Sequence, residues 1–189
     1  MRKIFAILLF LTLSPMAFAG EQEVRIDADW GTLYGTLAVP EEDATTAVVI
    51  VAGSGPTDRN GNSSLQITTY AYKMLSDALV DAGYAVLRYD KRAIGMSLAP
   101  REVVLSAVFS DFVDDAALCV DYLRNAGYDK VVVAGHSEGG MVALHLALCD
   151  NVAVDGIVLL SAAGYPMDTI LMRQLSAQLM PSYMGLMVS

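Results

Sequence analysis

With 54% hydrophobic and 17% charged residues, the 189-residue chain has the make-up of a compact globular protein rather than a disordered one. Its length suits a single domain. A formal charge of −9, without any cluster of lysine or arginine, argues against nucleic acid or an anionic membrane as partner.

Residues 1–19 read as a secretory leader. Arg2 and Lys3 form a basic start, Ile4 to Leu13 an apolar run, and Ala17-Phe18-Ala19 a small-x-small cleavage site. The run is about half the roughly 20 residues that a membrane span needs. No cysteine lies near the cut, so no stable membrane anchor is expected. Cleavage after Ala19 removes two positive charges, from −9 to −11, and places the mature protein in a periplasm or outside the cell.

Glu23 to Asp29 and Leu33 to Val39 alternate around Trp30-Gly31, the pattern of an antiparallel hairpin. Ala47 to Ala52 is a continuous apolar strand, as inside a parallel sheet covered on both faces. The loop Gly53 to Asn62 follows directly. Asp58, Asn60 and Asn62 begin like a calcium loop, but glycine stands at the fourth place and Thr69 at the closing twelfth. A dinucleotide fingerprint fails because Asp58 stands where a third glycine belongs. Two readings remain: a loop of backbone N–H donors beside a nucleophile, or a plain glycine turn.

Leu65 to Ala82 is predicted to be helical, with Leu75, Ala78, Leu79 and Ala82 on one face and Gly83 at its end. Ala85 to Tyr89 is a buried strand that leads into the charged turn Asp90 to Ser97. A second helix is expected over Ser106 to Ala126, with Phe109, Phe112, Ala116, Cys119 and Leu123 inward. Asp111, Asp114 and Asp115 are expected on its solvated face, not at a metal.

Lys130 to Ala134 is a short β-branched strand, and Gly135-His136-Ser137-Glu138-Gly139 matches G-x-S-x-G before an apolar helix, Met141 to Leu148. A strand that turns straight into a helix leaves no room for β-carbons beside the turn. The glycines two before and two after Ser137 meet that demand, and the serine is left in a strained conformation. This geometry lifts its hydroxyl clear of the sheet with the Glu138 N–H facing the same space. Ser137 is therefore a candidate nucleophile; the plainer reading is a glycine-rich turn that only holds the fold. Val152 to Leu160 is a further apolar strand. Residues 165–189 are methionine-rich and amphipathic, which suits a lid over a lipophilic site or an ordinary core helix. Strands alternating with helices give an α/β three-layer sandwich, mostly parallel behind the N-terminal antiparallel hairpin.

Three separated motifs, in order, resemble the α/β-hydrolase superfamily, in particular secreted bacterial esterase-like and serine-aminopeptidase-like members. They are Gly53-Ser54-Gly55 after the third strand, Asp90-Lys91-Arg92-x-x-Gly95-x-Ser97 after the fourth, and Gly-His-Ser-Glu-Gly after the fifth. The resemblance covers roughly residues 24 to 165; the core is expected over 20–164, with the start of a lid or cap segment over 165–189. It implies Ser137 as nucleophile, the backbone N–H groups of Glu138 and Ser54 as oxyanion donors, and Gly53, Gly55, Gly135 and Gly139 as their supports. The implied substrate is a small acyl compound, with no cofactor and no metal. Ala93 departs from the glycine usual in the family turn. A serine at the elbow, where haloalkane dehalogenases have aspartate, points away from those enzymes.

The family places an acid and then a histidine on loops after two further strands. Here Asp150, Asp155 and Asp168 come too early for the acid. His145 lies eight residues along the helix from Ser137, about 12 Å away at 1.5 Å per residue. His136 sits beside Ser137 but is expected to project to the other side of the elbow. Both histidines are expected to pack or cap, and the chain to be the C-terminally incomplete front of such a fold, nearly inactive alone. The strand 152–160 would then carry an unguarded edge prone to self-association. A non-enzymatic binding protein on the same scaffold is the rival reading. Cys119 and Cys149 are expected as buried thiols, with a disulfide the alternative.

Overall fold

The computed structural model describes residues 19–149, 152–165 and 168–177; the leader, apart from Ala19, and residues 178–189 lie outside the described residues. Six strands form one sheet: β1 (Gly20–Ala28), β2 (Gly31–Val39), β3 (Thr46–Val51), β4 (Ala85–Tyr89), β5 (Lys130–His136) and β6 (Gly156–Leu160). Their spatial order is β1-β2-β4-β3-β5-β6. β1 pairs antiparallel with β2, and β2 antiparallel with β4. The pairs β3–β4, β3–β5 and β5–β6 are parallel. The hairpin followed by a parallel sheet is the architecture that the alternation and the continuous apolar runs predict.

Strand periodicity divides the core in two. Val49, Val51, Leu87, Val131 and Val133 face α3 (Phe109–Asn125) and α4 (Glu138–Leu148). Val48, Ile50, Val86 and Ala134 face α1 (Ala71–Asp81). The deeper cluster takes Ala116, Cys119, Val120 and Leu123 from α3 and Val142, Ala143 and Leu146 from α4. Adjacent side chains on one strand thus serve different helices, because successive residues point to opposite faces.

Three expectations need correction. The first concerns α1, which starts at Ala71 rather than Leu65. Gln66 and Tyr70 have φ of 63° and 51°, left-handed values that a right-handed helix cannot contain. Ser63 instead bridges to both Thr57 and Ile67. The inward face of α1 carries Tyr72, Leu75, Ser76, Leu79 and Val80, while Ala78 and Ala82 are exposed. The second concerns the stretch 101–125, which is two helices: α2 (Arg101–Ser106) and α3. Extended backbone at Ala107 and Val108 separates them, and the Asp111 carboxylate caps α3 by accepting the Val108 N–H at 2.8 Å. The third concerns β6, which begins at Gly156, not Val152. Just before it, Asp155 accepts the Val131 N–H at 2.7 Å and pairs with Arg124, so its charge points into the sheet's end and not along the edge.

Among the described residues β6 pairs only with β5, and it exposes nearly half of Val158 and Leu159. Residues 168–177 are helical, with Leu171, Met172 and Leu175 exposed. No helix among the described residues is long and apolar enough to cross a membrane.

Candidate active site

β5 ends at His136 and α4 begins at Glu138, so Ser137 alone makes the turn between them. Its φ of 53° and ψ of −115° are unusual for a residue with a side chain, a strain of about 1–3 kcal/mol. The glycines around it are required by contact. A β-carbon on Gly135 would lie 2.0 Å from the Gly139 carbonyl oxygen, and one on Gly139 would lie 2.3 Å from that of Val51. Gly140 is equally confined, against Ala162. The turn is tied down from β6, whose Leu160 carbonyl accepts the Ser137 N–H at 2.9 Å.

The loop after β3 reaches the same place. A β-carbon on Gly53 would meet the Ser137 Cβ at 3.2 Å and the His136 ring at 3.0 Å, so the loop backbone lies directly against the turn. Ser54 and Gly55 are exposed beyond it. Neither the Ser54 nor the Glu138 N–H has an acceptor among the described residues. The structure therefore brings together the elbow and the glycine loop, both named from the sequence.

Side chains that sequence reasoning missed hold the loop there. Tyr72 of α1 accepts the Gly53 N–H at 3.1 Å and shares a 2.9 Å hydrogen bond with His136 Nδ1. Burial pushes the Tyr72 phenol above its usual range, partly offset by that N–H. Lys91 donates to the Gly53 carbonyl and stands 3.8 Å from the Glu138 carboxylate. His136 thus turns toward α1, in a packing role. His145 does the same elsewhere: its Nδ1 meets the Met141 carbonyl at 2.9 Å, and its ring stands edge-on to Phe109.

The charged side chains of the turn after β4, Asp90, Lys91 and Arg92, are buried. The Asp90 carboxylate accepts the Arg59 N–H, the Arg59 Nε–H and the Met96 N–H, clasping the glycine loop to the turn. Asp115, expected on the solvated face, is only 2% exposed. It holds Arg92 through two hydrogen bonds, at 2.8 and 2.9 Å, and accepts the Trp30 indole N–H at 2.9 Å. Arg92 also donates to the Asp111 carbonyl and lies over the rings of Trp30 and Phe112. A buried charge persists only when paired in this way. The only available signal was Arg92 and Trp30 themselves, costly to bury without partners.

Asp58 organises its own loop, with one oxygen accepting the Asn60 and Asn62 N–H groups. No group of three or more potential metal ligands forms among the described residues. Both cysteines are free thiols: Cys119 is buried, and burial pushes its thiol well up, while Cys149 is half-buried. Beside the glycine loop opens a cavity of about 490 Å³, walled by Ser54, Leu65, Ile67, Tyr72, His136 and Leu160 among others, with no charged residue in its lining.

Comparison with known proteins agrees with this geometry. The family described as "Serine aminopeptidase, S33" matches residues 66–187, more than half of the chain. A protein of Variovorax paradoxus (strain S110) that bears the name carbamate hydrolase RutD is 33% identical over 89 residues. That match takes in 47% of this chain and 32% of the relative. Among solved structures, an α/β serine hydrolase without lid from Xanthomonas campestris superposes with a TM-score of 0.59 at 20% identity. It covers 78% of this chain and 64% of the other. Epoxide hydrolase A of Mycobacterium thermoresistibile gives a TM-score of 0.61 at 25% identity, over 82% of this chain and 44% of that one. The chain thus spans about a third of the curated relative's length, and less than two thirds of either structure.

Proposed function

We propose, for a chain that belongs to the serine aminopeptidase S33 family of α/β hydrolases, that it carries the nucleophile half of a serine hydrolase acting on a carboxylic ester, thioester or amide. The observation that carries this reading is Ser137, held at a left-handed φ with the Gly53 backbone against its β-carbon. In the reaction, the Ser137 Oγ bonds to the substrate's carbonyl carbon and the carbonyl electron pair moves onto oxygen. The Glu138 and Ser54 N–H groups take up that negative oxygen. Collapse expels the alcohol, thiol or amine, and water then releases the acid from the acyl-serine. A carbamate carbonyl, the chemistry named for the Variovorax relative, belongs to the same reaction class.

A serine hydroxyl needs a base to take its proton, and both histidines of the 189 residues are engaged elsewhere. The chain alone is therefore expected to acylate slowly, since loss of a triad member lowers rates by about 10⁴-fold or more. The uncharged cavity beside Ser54 favours a neutral, apolar acyl group. Incubation with an alkyl fluorophosphonate, followed by intact-mass measurement, should show slow addition to the wild type and none to Ser137→Ala. Addition that persists in Ser137→Ala overturns the assignment, and rapid addition to the wild type overturns the missing base. Complete inertness favours a binding protein on the same scaffold, the reading suggested by the engaged histidines.

Two further parts of the reading concern context. The basic-apolar-small pattern of residues 1–19 supports export, and the mature N-terminus is then Gly20; N-terminal sequencing of secreted material checks it. The β6 edge, unpaired among the described residues, supports self-association of the chain, which light scattering of wild type and Val158→Lys would detect as a loss of large species in the variant.

A further inference from the structure

We propose that Lys91 is a positioning residue: it sets the direction in which the Ser54 N–H points at the substrate's developing oxyanion. The inference rests on the acyl-serine reading above and adds a residue to it.

The argument starts from the peptide bond. The Gly53 carbonyl and the Ser54 N–H belong to one planar group, and the described chain has no cis bond. In a trans peptide these two groups point in opposite directions. Whatever grips the carbonyl therefore aims the N–H. The Lys91 ammonium donates to that carbonyl from a buried position, with its side chain 8% exposed. The peptide one step earlier is held as well, since Tyr72 accepts the Gly53 N–H. A β-carbon here would crowd Ser137 and His136, so the position favours glycine. Without Lys91, however, the Gly53–Ser54 plane keeps a free rotation about ψ of a glycine, the least restricted residue.

The surroundings of Lys91 fit this task. From α4 comes the Glu138 carboxylate at 3.8 Å, and from α3 the face of Phe112 at 5.9 Å. Its chain neighbours are committed elsewhere, Asp90 to Arg59 and Arg92 to Asp115. Glu138 also supplies the second proposed oxyanion N–H, so one ammonium group braces both halves of the hole. A hydrogen bond to a carbonyl polarises its peptide and strengthens the N–H on the far side as a donor. Burial depresses the Lys91 ammonium, with Glu138 opposing that shift.

The test uses the full chain and separates position from chemistry. In Lys91→Met, which keeps the length and apolar stem, the Gly53 carbonyl carbon resonance should move upfield and the Ser54 amide resonance should shift. Ser137 phosphonylation should slow by about ten- to a hundredfold, less than the 10²–10³-fold seen when a donor is lost outright. In the unmodified protein, where folding is not in question, the Gly53 carbonyl resonance should titrate together with the Lys91 side chain at alkaline pH, and the Ser54 amide should follow. A Gly53 carbonyl that stays flat while Lys91 titrates overturns the proposal. So does a Lys91→Met protein of normal shifts or of undiminished labelling. Failure of the acyl-serine reading looks different: it appears as labelling that survives Ser137→Ala, with the Gly53 titration unaffected.

Discussion

Two turns at the same end of the sheet solve one problem by opposite means. The turn at Ser137 and the turn at Asp90–Ser97 each contain a non-glycine residue in left-handed conformation, Ser137 at φ 53° and Ala93 at φ 66°. Each also has a glycine that tolerates no β-carbon; at Gly95 it would lie 2.4 Å from Asp90. The serine turn is fixed by backbone against backbone, through Gly135, Gly139 and the Val51 carbonyl. The charged turn is fixed by side chains: Arg59, Trp30 and Asp115 reach in from elsewhere, and its own Ser97 hydroxyl accepts the Tyr34 N–H. One should be damaged by adding atoms and the other by removing them.

The largest effect is expected from adding one methyl group at the elbow. Gly135→Ala places a carbon 2.0 Å from a backbone oxygen that cannot yield. The loss should exceed about 4 kcal/mol, beyond the common range for point changes, against a total stability of about 5–15 kcal/mol. Little folded protein should be recovered, and circular dichroism of what is recovered should show no cooperative melt. A normal melt would mean that backbone packing does not hold this turn.

Removing atoms from the charged turn comes next. Asp115→Ala leaves buried Arg92 with only the more exposed Asp111 carboxylate, at 3.4 Å, as counter-charge, and should lower stability by up to about 3–5 kcal/mol, read from urea midpoints. Replacing both partners, Arg92→Met with Asp115→Leu, should recover most of it, because the penalty belongs to the unpaired charge. If the double replacement is as unstable as the single one, the pair does more than neutralise itself.

A smaller, pH-dependent effect should join the two turns through Lys91. Burial lowers its ammonium below the usual 10.5, so the folded protein releases this proton before the unfolded chain does. Between the folded value and 10.5 the unfolded state holds more protons, and stability from this group rises with pH. The stability of wild type relative to Lys91→Met should therefore grow as pH climbs from neutral toward 10.5, in paired denaturation curves. A difference that stays constant would place Lys91 in solvent.

The smallest effects test what the strain is for. Ala93→Gly relaxes a left-handed alanine and should stabilise by up to about 1 kcal/mol, with phosphonylation of Ser137 unchanged. Ser137→Gly should gain a similar amount and abolish labelling. Equal gains with opposite consequences would show that the two turns share a geometry and only one uses it for chemistry. Thermal melts and intact-mass readings are sufficient for both.

The amino-acid sequence by itself determined the hairpin, the apolar strands β3, β4 and β5, and the elbow with its glycines. These features depend on residues adjacent in the chain: alternation sets which face is buried, and the spacing of Gly135 and Gly139 around Ser137 answers a clash within a few bonds. Only the tertiary structure decided which of three neighbouring aspartates is buried, that Tyr72 and Lys91 grip Gly53 from two sides, and that α1 waits until Ala71. Asp111, Asp114 and Asp115 look alike along one helix. Asp115 differs because the ends of β1 and β4 bring Trp30 and Arg92 to it, from positions 85 and 23 residues away in the chain. A partner at that separation leaves no periodicity to read. It exists only once the strands have taken their order in the sheet.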